Sequence, residues 1–255
     1  MSDAAQRWLV RRPRERPADW RLICLPHAGS GAAAFATWFA AAPPDCEVVI
    51  ARLPGRENRL AEPVPDSIAA VIDGLLPAVE PLLDRPYVVF GYSMGALMAF
   101  ELTRRLVRDG QRLPVLLAVG GHEAPHLPRW QPPIHQLPRQ EFIASLRELG
   151  GTPDVVFETP ELLDLLIPTL RADLRLVETY GHDAIGPLPV PIATYVGAGD
   201  DTLASAGLAA WDELSTAATM HHSFAGGHFF LSTSGRELLS AIVSDAEQLR
   251  VPPAG

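Results

Sequence analysis

The chain has 255 residues, 47% of them hydrophobic and 20% charged. That is an ordinary globular mix with apolar material enough for a core, and a poor fit to disorder, collagen or coiled coil. The 21 basic residues, all of them arginine, against 30 acidic ones leave a net charge of −9, without the basic face a general nucleic-acid binder needs.

No stretch approaches the run of about 18 apolar residues that a membrane helix requires. Near the N-terminus Arg11-Arg12 has the look of a twin-arginine export signal, but Pro13-Arg14-Glu15-Arg16-Pro17 follows with no apolar region, so a cytoplasmic protein is expected. In chain order, apolar runs at 21–25, 47–53, 87–91, 115–120, 192–197 and 220–224 predict strands. Several are apolar on both faces, as parallel strands covered by helices require. Helical patterns lie between them at 32–41, 67–83, 94–109, 203–215 and 235–249, and in the second Pro77 and Pro81 would break or kink the helix. Strand alternating with helix predicts a doubly wound α/β domain spanning 1–255. Residues from about 122 to 190 hold no convincing strand, which is too long for an ordinary connection. Two helical patterns occur there, at 139–149 and 160–180, the first closed by Gly150-Gly151. An insertion of this kind either covers a site as a lid or packs as a structural helical pair. Phe142, Leu146 and Leu170 suit a pocket lining and a core equally. Cys24 and Cys46 have no metal-binding spacing and are expected as small buried hydrophobes.

The sharpest motif is Gly91-Tyr92-Ser93-Met94-Gly95, a G-x-S-x-G between an apolar strand and a helical pattern. A tight strand-to-helix turn exposes the serine oxygen and crowds the backbone, so only small residues fit at Gly91 and Gly95. The helix N-terminus also sets positive dipole beside a developing oxyanion. Arg104, Arg105 and Arg108 fall at the other end of that helix, as a dipole-matched solvated end or as a partner-docking surface. A serine needs a base, and the base an orienting carboxylate, here in the order Ser, Asp, His. Asp200 and Asp201 follow the strand at 192–197, and His228 lies in Gly226-Gly227-His228-Phe229-Phe230 after the last strand. Loops at the carboxyl ends of parallel strands converge on one edge of the sheet. The loop after the first predicted strand, Leu25-Pro26-His27-Ala28-Gly29-Ser30-Gly31, can bring the Ala28 amide beside that of Met94 as an oxyanion hole. It lacks the G-K-[ST] ending of a nucleotide-binding loop.

His122-Glu123-Ala124-Pro125-His126 matches the H-E-x-x-H pattern of zinc proteases. That chemistry needs both histidines on one helix face, and Pro125 after a strand and two glycines argues against a helix. His221 and His222 are neighbours on a strand and point to opposite faces, which disfavours a shared metal.

Leu25-Pro26-His27-Ala28-Gly29, Leu53-Pro54-Gly55-Arg56-Glu57 with Arg59, the serine motif, Pro168-Thr169-Leu170-Arg171-Ala172-Asp173 and Gly226-Gly227-His228-Phe229-Phe230-Leu231 together resemble the external type II thioesterases. These α/β-hydrolases accompany polyketide synthases and nonribosomal peptide synthetases. The resemblance implies an α/β-hydrolase fold and hydrolysis of acyl groups from the phosphopantetheine arm of acyl or peptidyl carrier proteins, with no cofactor, metal, nucleic acid or membrane involved and a monomer favoured. An esterase or acyltransferase using the same triad is the alternative. The implied roles are nucleophile for Ser93, base for His228, and oxyanion amides for Ala28 and Met94. Asp200 is favoured as the acid, since Gly197-x-x-Asp200 with Leu203 three residues on resembles the hydrolase pattern and Trp211 stands at the family's offset. Asp201 then takes the family's proline position, as a solvated turn residue or helix cap. The family usually has His where Tyr92 stands, a position without a catalytic role, and Ser30 replaces a common second glycine. Carrier proteins in such systems are acidic, so the charge of −9 gives no global steering and docking falls to local groups, with Arg139, Arg147 and Arg171 as candidates.

Overall fold

The computed structural model describes residues 3–129, 131–183 and 186–250. Its centre is a seven-stranded sheet in the order β1-β3-β2-β4-β5-β6-β7. The strands are β1 (Leu9–Arg11), β2 (Trp20–Leu25), β3 (Cys46–Ala51), β4 (Tyr87–Tyr92), β5 (Leu116–Gly120), β6 (Ile192–Gly197) and β7 (Thr219–Phe224). All pairings are parallel except β1 with β3. The helices are α1 (Asp3–Trp8), α2 (Trp38–Ala41), α3 (Ile68–Val79), α4 (Met94–Arg108), α5 (Arg139–Leu149), α6 (Asp154–Glu158), α7 (Pro160–Glu178), α8 (Ser205–Ala209) and α9 (Leu231–Arg250).

The alternation of side chains along each strand divides the core in two. Ile23, Leu25, Val49 and Val89 join α3 and α4 on one face. Leu22, Cys24, Val48, Ile50 and Phe90 meet α9 with Phe35 and Trp38 on the other. Every residue of β2 to β5 is buried, which is why those runs read as apolar without a period of two. β7 forms one edge and is only half-buried.

The six predicted strands are all present. β1 is additional: three residues with only Leu9 fully buried are too short to register as a periodic run. Proline shapes α3 less than expected. The helix, capped by Ser67 accepting from the Ala70 amide at 3.1 Å, carries Pro77 inside it and stops at Val79, where a 3-10 turn with Pro81 takes over. The patterns at 32–41 and 203–215 are each split between a 3-10 turn and a short α-helix. α9 begins earlier than expected, at Leu231, and reaches its regular part across a kink at Ser234.

The stretch between β5 and β6 forms three helices rather than two, since five-residue α6 is too short to show a period. Residues 130, 184 and 185 of the expected 122–190 insertion lie outside the described residues. The three helices share a cluster of their own, in which Phe142, Leu146, Val156, Leu163, Ile167 and Leu170 are buried. Among the described residues no helix is long and apolar enough to cross a membrane.

Candidate active site

β4 ends at Tyr92 and α4 starts at Met94, so Ser93 alone makes the turn. It sits at φ 54°, ψ −114°, a left-handed backbone that a residue with a side chain holds only under compulsion, at about 1–3 kcal/mol. The compulsion comes from close packing on both sides. A Cβ on Gly91 would lie 1.9 Å from the Gly95 carbonyl oxygen, and one on Gly95 2.0 Å from that of Leu25. The first contact seats strand against helix, and the second presses the loop after β2 onto the turn. The Ser93 amide donates to the Gly120 carbonyl at 2.7 Å, which ties the turn to the end of β5.

His228 comes from the loop between β7 and α9. Its Nε2 lies 3.1 Å from Ser93 Oγ, and its Nδ1 lies 2.8 Å from Asp200 Oδ2. A carboxylate can only accept, so Nδ1 carries the proton and Nε2 is left to accept from the serine hydroxyl. The Asp200 side chain is 1% exposed. Burial alone would raise its pKa, but the hydrogen bond and charge of His228 and two donors from Thr202 outweigh it and hold the carboxyl below the ordinary carboxylate range. Those donors are the Thr202 amide at 3.1 Å and the Thr202 hydroxyl at 2.5 Å, both to Oδ1. Asp201 is exposed and faces the cavity. It is a turn residue and not a helix cap, since α8 begins at Ser205 and its leading Ala204 amide donates to Glu123 Oε1 at 2.6 Å.

Tyr92 has a structural task in this arrangement that the sequence did not disclose. Its buried hydroxyl donates to the backbone carbonyl of His228 and accepts from the Leu231 amide at 3.4 Å, so it holds the histidine loop from below. Thr202 and Tyr92 are the two groups that sequence reasoning missed around Ser93, His228 and Asp200. Tyr92 acts through a tertiary contact that no local pattern signals, whereas Thr202 bonds Asp200 from two residues along, a local turn that the Asp-x-Thr spacing could have signalled.

Ala28 lines the same cavity as Ser93, in the loop pressed onto the elbow. In its loop the Gly29 amide donates to Asp173 Oδ2 at 2.7 Å and the Ser30 amide to the His27 carbonyl at 3.2 Å. Among the described residues nothing in the protein accepts from the Ala28 amide. Met94 is the first residue of α4, a position whose amide has no acceptor within the helix. Its side chain is fully buried in the core, so only backbone is available at the site. Desolvation lowers the pKa of His27, and its Nδ1 is 3.0 Å from the Ala28 carbonyl.

A cavity of about 740 Å³ opens from Ser93 and His228 and runs beneath the inserted helices, where Leu146, Leu149, Leu170 and Leu174 line it. Of the three ambiguous apolar residues, Leu146 and Leu170 face this cavity while Phe142 packs into the helical cluster. The arginines proposed for docking have intramolecular partners. Arg171 is turned inward, donating to the His135 and Leu137 carbonyls at 2.6 and 2.8 Å. Arg139 pairs with Asp164, and Arg147 lies over the Phe157 ring. Arg104 is buried against Glu101, and Arg105 and Arg108 pair with Asp109.

The segment His122-Glu123-Ala124-Pro125-His126 is not helical. Desolvation pushes the His122 pKa down to about 4. His221 bonds Thr194 and Asp212, whereas His222 stacks on Tyr195 across the sheet.

Comparison with known proteins places the chain in a family. The family model described as "Thioesterase domain" matches residues 20–248. The gramicidin S biosynthesis protein GrsT of Aneurinibacillus migulanus is 35% identical over 245 residues, covering 96% of this chain and 94% of that protein. Among solved structures, the type II thioesterase BorB from the borrelidin biosynthetic cluster superposes with a TM-score of 0.85 at 34% identity, over 96% of this chain and 99% of that one. ClbQ from the colibactin NRPS/PKS pathway gives 0.86 at 28% identity, over 91% and 98%. With strands, elbow and whole-chain similarity in agreement, the chain belongs to the thioesterase family, as a serine hydrolase of the α/β-hydrolase fold that acts on thioesters and is similar to the type II enzymes of polyketide and nonribosomal-peptide pathways.

Proposed function

We propose that the chain removes acyl or aminoacyl groups from the phosphopantetheine arm of acyl and peptidyl carrier proteins, clearing arms of an assembly line that hold a wrong or stalled group. The observation that carries this reading is the hydrogen-bonded series Ser93, His228, Asp200, whose serine and histidine line a cavity roofed by leucines. The likeness to biosynthetic-cluster thioesterases along nearly the whole chain supports the choice of carrier-bound substrate.

Ser93 Oγ attacks the thioester carbonyl as His228 Nε2 takes its proton, and Asp200 keeps the other ring nitrogen protonated and oriented. The Ala28 and Met94 amides donate to the oxyanion that forms. Collapse expels the pantetheine thiolate, which receives the proton from His228. Water then attacks the acyl-serine by the same route and releases the carboxylic acid. The mechanism calls for no metal or nucleotide. The helices between β5 and β6 act as the lid of the acyl chamber, within one hydrolase domain.

The test is a kcat/KM ranking over carrier-bound acetyl, propionyl, longer acyl and aminoacyl groups, with matched oxygen esters and Ser93→Ala as controls. Turnover of several carrier-bound groups that vanishes in Ser93→Ala is the expected result. A preference for the oxygen esters, or activity surviving in Ser93→Ala, would overturn the reading.

A further inference from the structure

The Ala28–Gly29 peptide is held from both ends by groups outside the triad. Its carbonyl meets His27 Nδ1 at 3.0 Å, and its N–H donates to Asp173 Oδ2 at 2.7 Å. Asp173 lies on α7, 144 residues along the chain, and is wholly buried. The same carboxylate takes a two-pronged contact from Arg56, with Nη1 to Oδ2 at 2.8 Å and Nη2 to Oδ1 at 2.6 Å. Arg56 is 6% exposed and gives two further donors to backbone, with Nη1 to the Ser30 carbonyl at 2.8 Å and Nε to the Pro54 carbonyl at 3.1 Å. One guanidinium and one carboxylate therefore fasten three pieces of chain: the turn after β2, the loop after β3 and the inserted helix α7.

Neighbouring residues of α7 reinforce this. The Thr169 hydroxyl donates to the Gly55 carbonyl at 2.7 Å. Gly29 has φ +75°, and a Cβ there would lie 2.4 Å from Leu170 Cδ2. Positions 169, 170 and 173 share one helix face, and all three bear on the two loops.

Stability alone does not account for such a pair. Removing two charges from water costs several kcal/mol each, and apolar replacements of matching volume commonly leave a protein equally stable. What the pair supplies is geometry, since a planar fork on a carboxylate fixes direction as well as distance. We propose that Arg56 and Asp173 are positioning residues for thioester hydrolysis. By fixing the Ala28–Gly29 peptide they set the plane of the preceding amide, so that the Ala28 N–H meets the oxyanion and not the ground-state carbonyl. The proposal rests on the Ser93 mechanism above and adds to it that the inserted helix α7 completes the oxyanion hole.

The experiment compares wild type, Asp173→Asn, Arg56→Lys and the charge-free double variant Arg56→Met/Asp173→Leu. The readouts are kcat and KM on an acyl-pantetheine, thermal midpoint, and affinity for an acyl trifluoromethyl ketone, which adds to the serine and places an oxyanion in the hole. Complete loss of an oxyanion donor costs about 10²–10³ in kcat, and a misaligned donor costs less. The double variant is expected to fold with kcat lowered about 10- to 100-fold, KM within about twofold, and ketone affinity lowered by the same factor as kcat/KM. Arg56→Lys, which keeps the charge but not the fork, should fall between it and wild type. Should Asp173→Asn fail to fold, the double variant, with no orphaned charge, carries the comparison. A loss confined to thermal midpoint, or a folded double variant with wild-type kcat and ketone affinity, overturns the proposal. Activity persisting in Ser93→Ala would instead sink the underlying mechanism, so the two failures are distinguishable.

Discussion

Replacing Asp200 by Asn tests the triad most directly, because the structure dictates how the amide must sit. Oδ1 of Asp200 receives two donors, the amide and the hydroxyl of Thr202. An asparagine at this position keeps its carbonyl oxygen there, since turning the NH2 toward two donors would leave all of them unpaired. The NH2 is then aimed at His228 Nδ1, which the carboxylate contacts at 2.8 Å. Nδ1 must accept, the proton moves to Nε2, and the ring meets the Ser93 hydroxyl with the wrong tautomer. In the serine-protease analogue this defect costs about 10⁴ in kcat, equivalent to about 5.4 kcal/mol at roughly 1.36 kcal/mol per decade. Asp201 is exposed, so Asp201→Asn should cost less than about tenfold. Steady-state hydrolysis of a short acyl-pantetheine by both variants, each shown folded by circular dichroism, gives the answer. An Asp200→Asn enzyme within tenfold of wild type, or a crippled Asp201→Asn enzyme, would refute the assignment.

Other outcomes follow from the same geometry. Thr202→Val removes the hydroxyl donor to Asp200 but keeps the amide, so kcat should fall about tenfold, or 1.4 kcal/mol, and an unchanged kcat would show Thr202 to be passive. Gly95→Ala places a Cβ 2.0 Å from the Leu25 carbonyl, backbone that cannot yield, so soluble expression should collapse; a folded, active variant would contradict the packing described. Burial pushes the Cys46 thiol up to about 12 and Cys24 well above its ordinary value, so at pH 8 neither should react with a disulfide reagent until denaturant is added. Rapid labelling of the native protein would refute that.

Some of this was legible in the sequence because it depends on neighbours along the chain. β2 to β6 appear as apolar runs since helices cover both faces of the sheet, and the elbow announces itself because crowding demands glycine on both sides of the serine. Asp200 and His228 were within reach because the topology delivers strand ends to one edge. What stayed hidden depends on contacts between distant segments. The Tyr92 hydroxyl under the His228 carbonyl, and Arg56 across 117 residues to Asp173, leave no periodic trace. Arg171 looked available for a partner because its inward turn onto the His135 and Leu137 carbonyls is likewise a tertiary event. β1 and α6 were lost for a plainer reason, since three and five residues are shorter than a recognisable pattern.

Leu170 belongs to two walls at once. One side of it lines the cavity beside Ser93, and the other packs against Gly29, next to the proposed oxyanion amide of Ala28. Leu146 and Leu149, on α5, line the same cavity without touching that loop at Gly29. Anyone redesigning the chamber for a bulkier chain thus meets unequal risks along its length. Trimming α5 enlarges the room and leaves the reaction machinery seated, whereas trimming α7 at Leu170 trades chain tolerance against turnover, as a kcat comparison of Leu146→Ala with Leu170→Ala on one short substrate would register. Selectivity and speed are expected to separate on α5 and to stay coupled at Leu170 on α7.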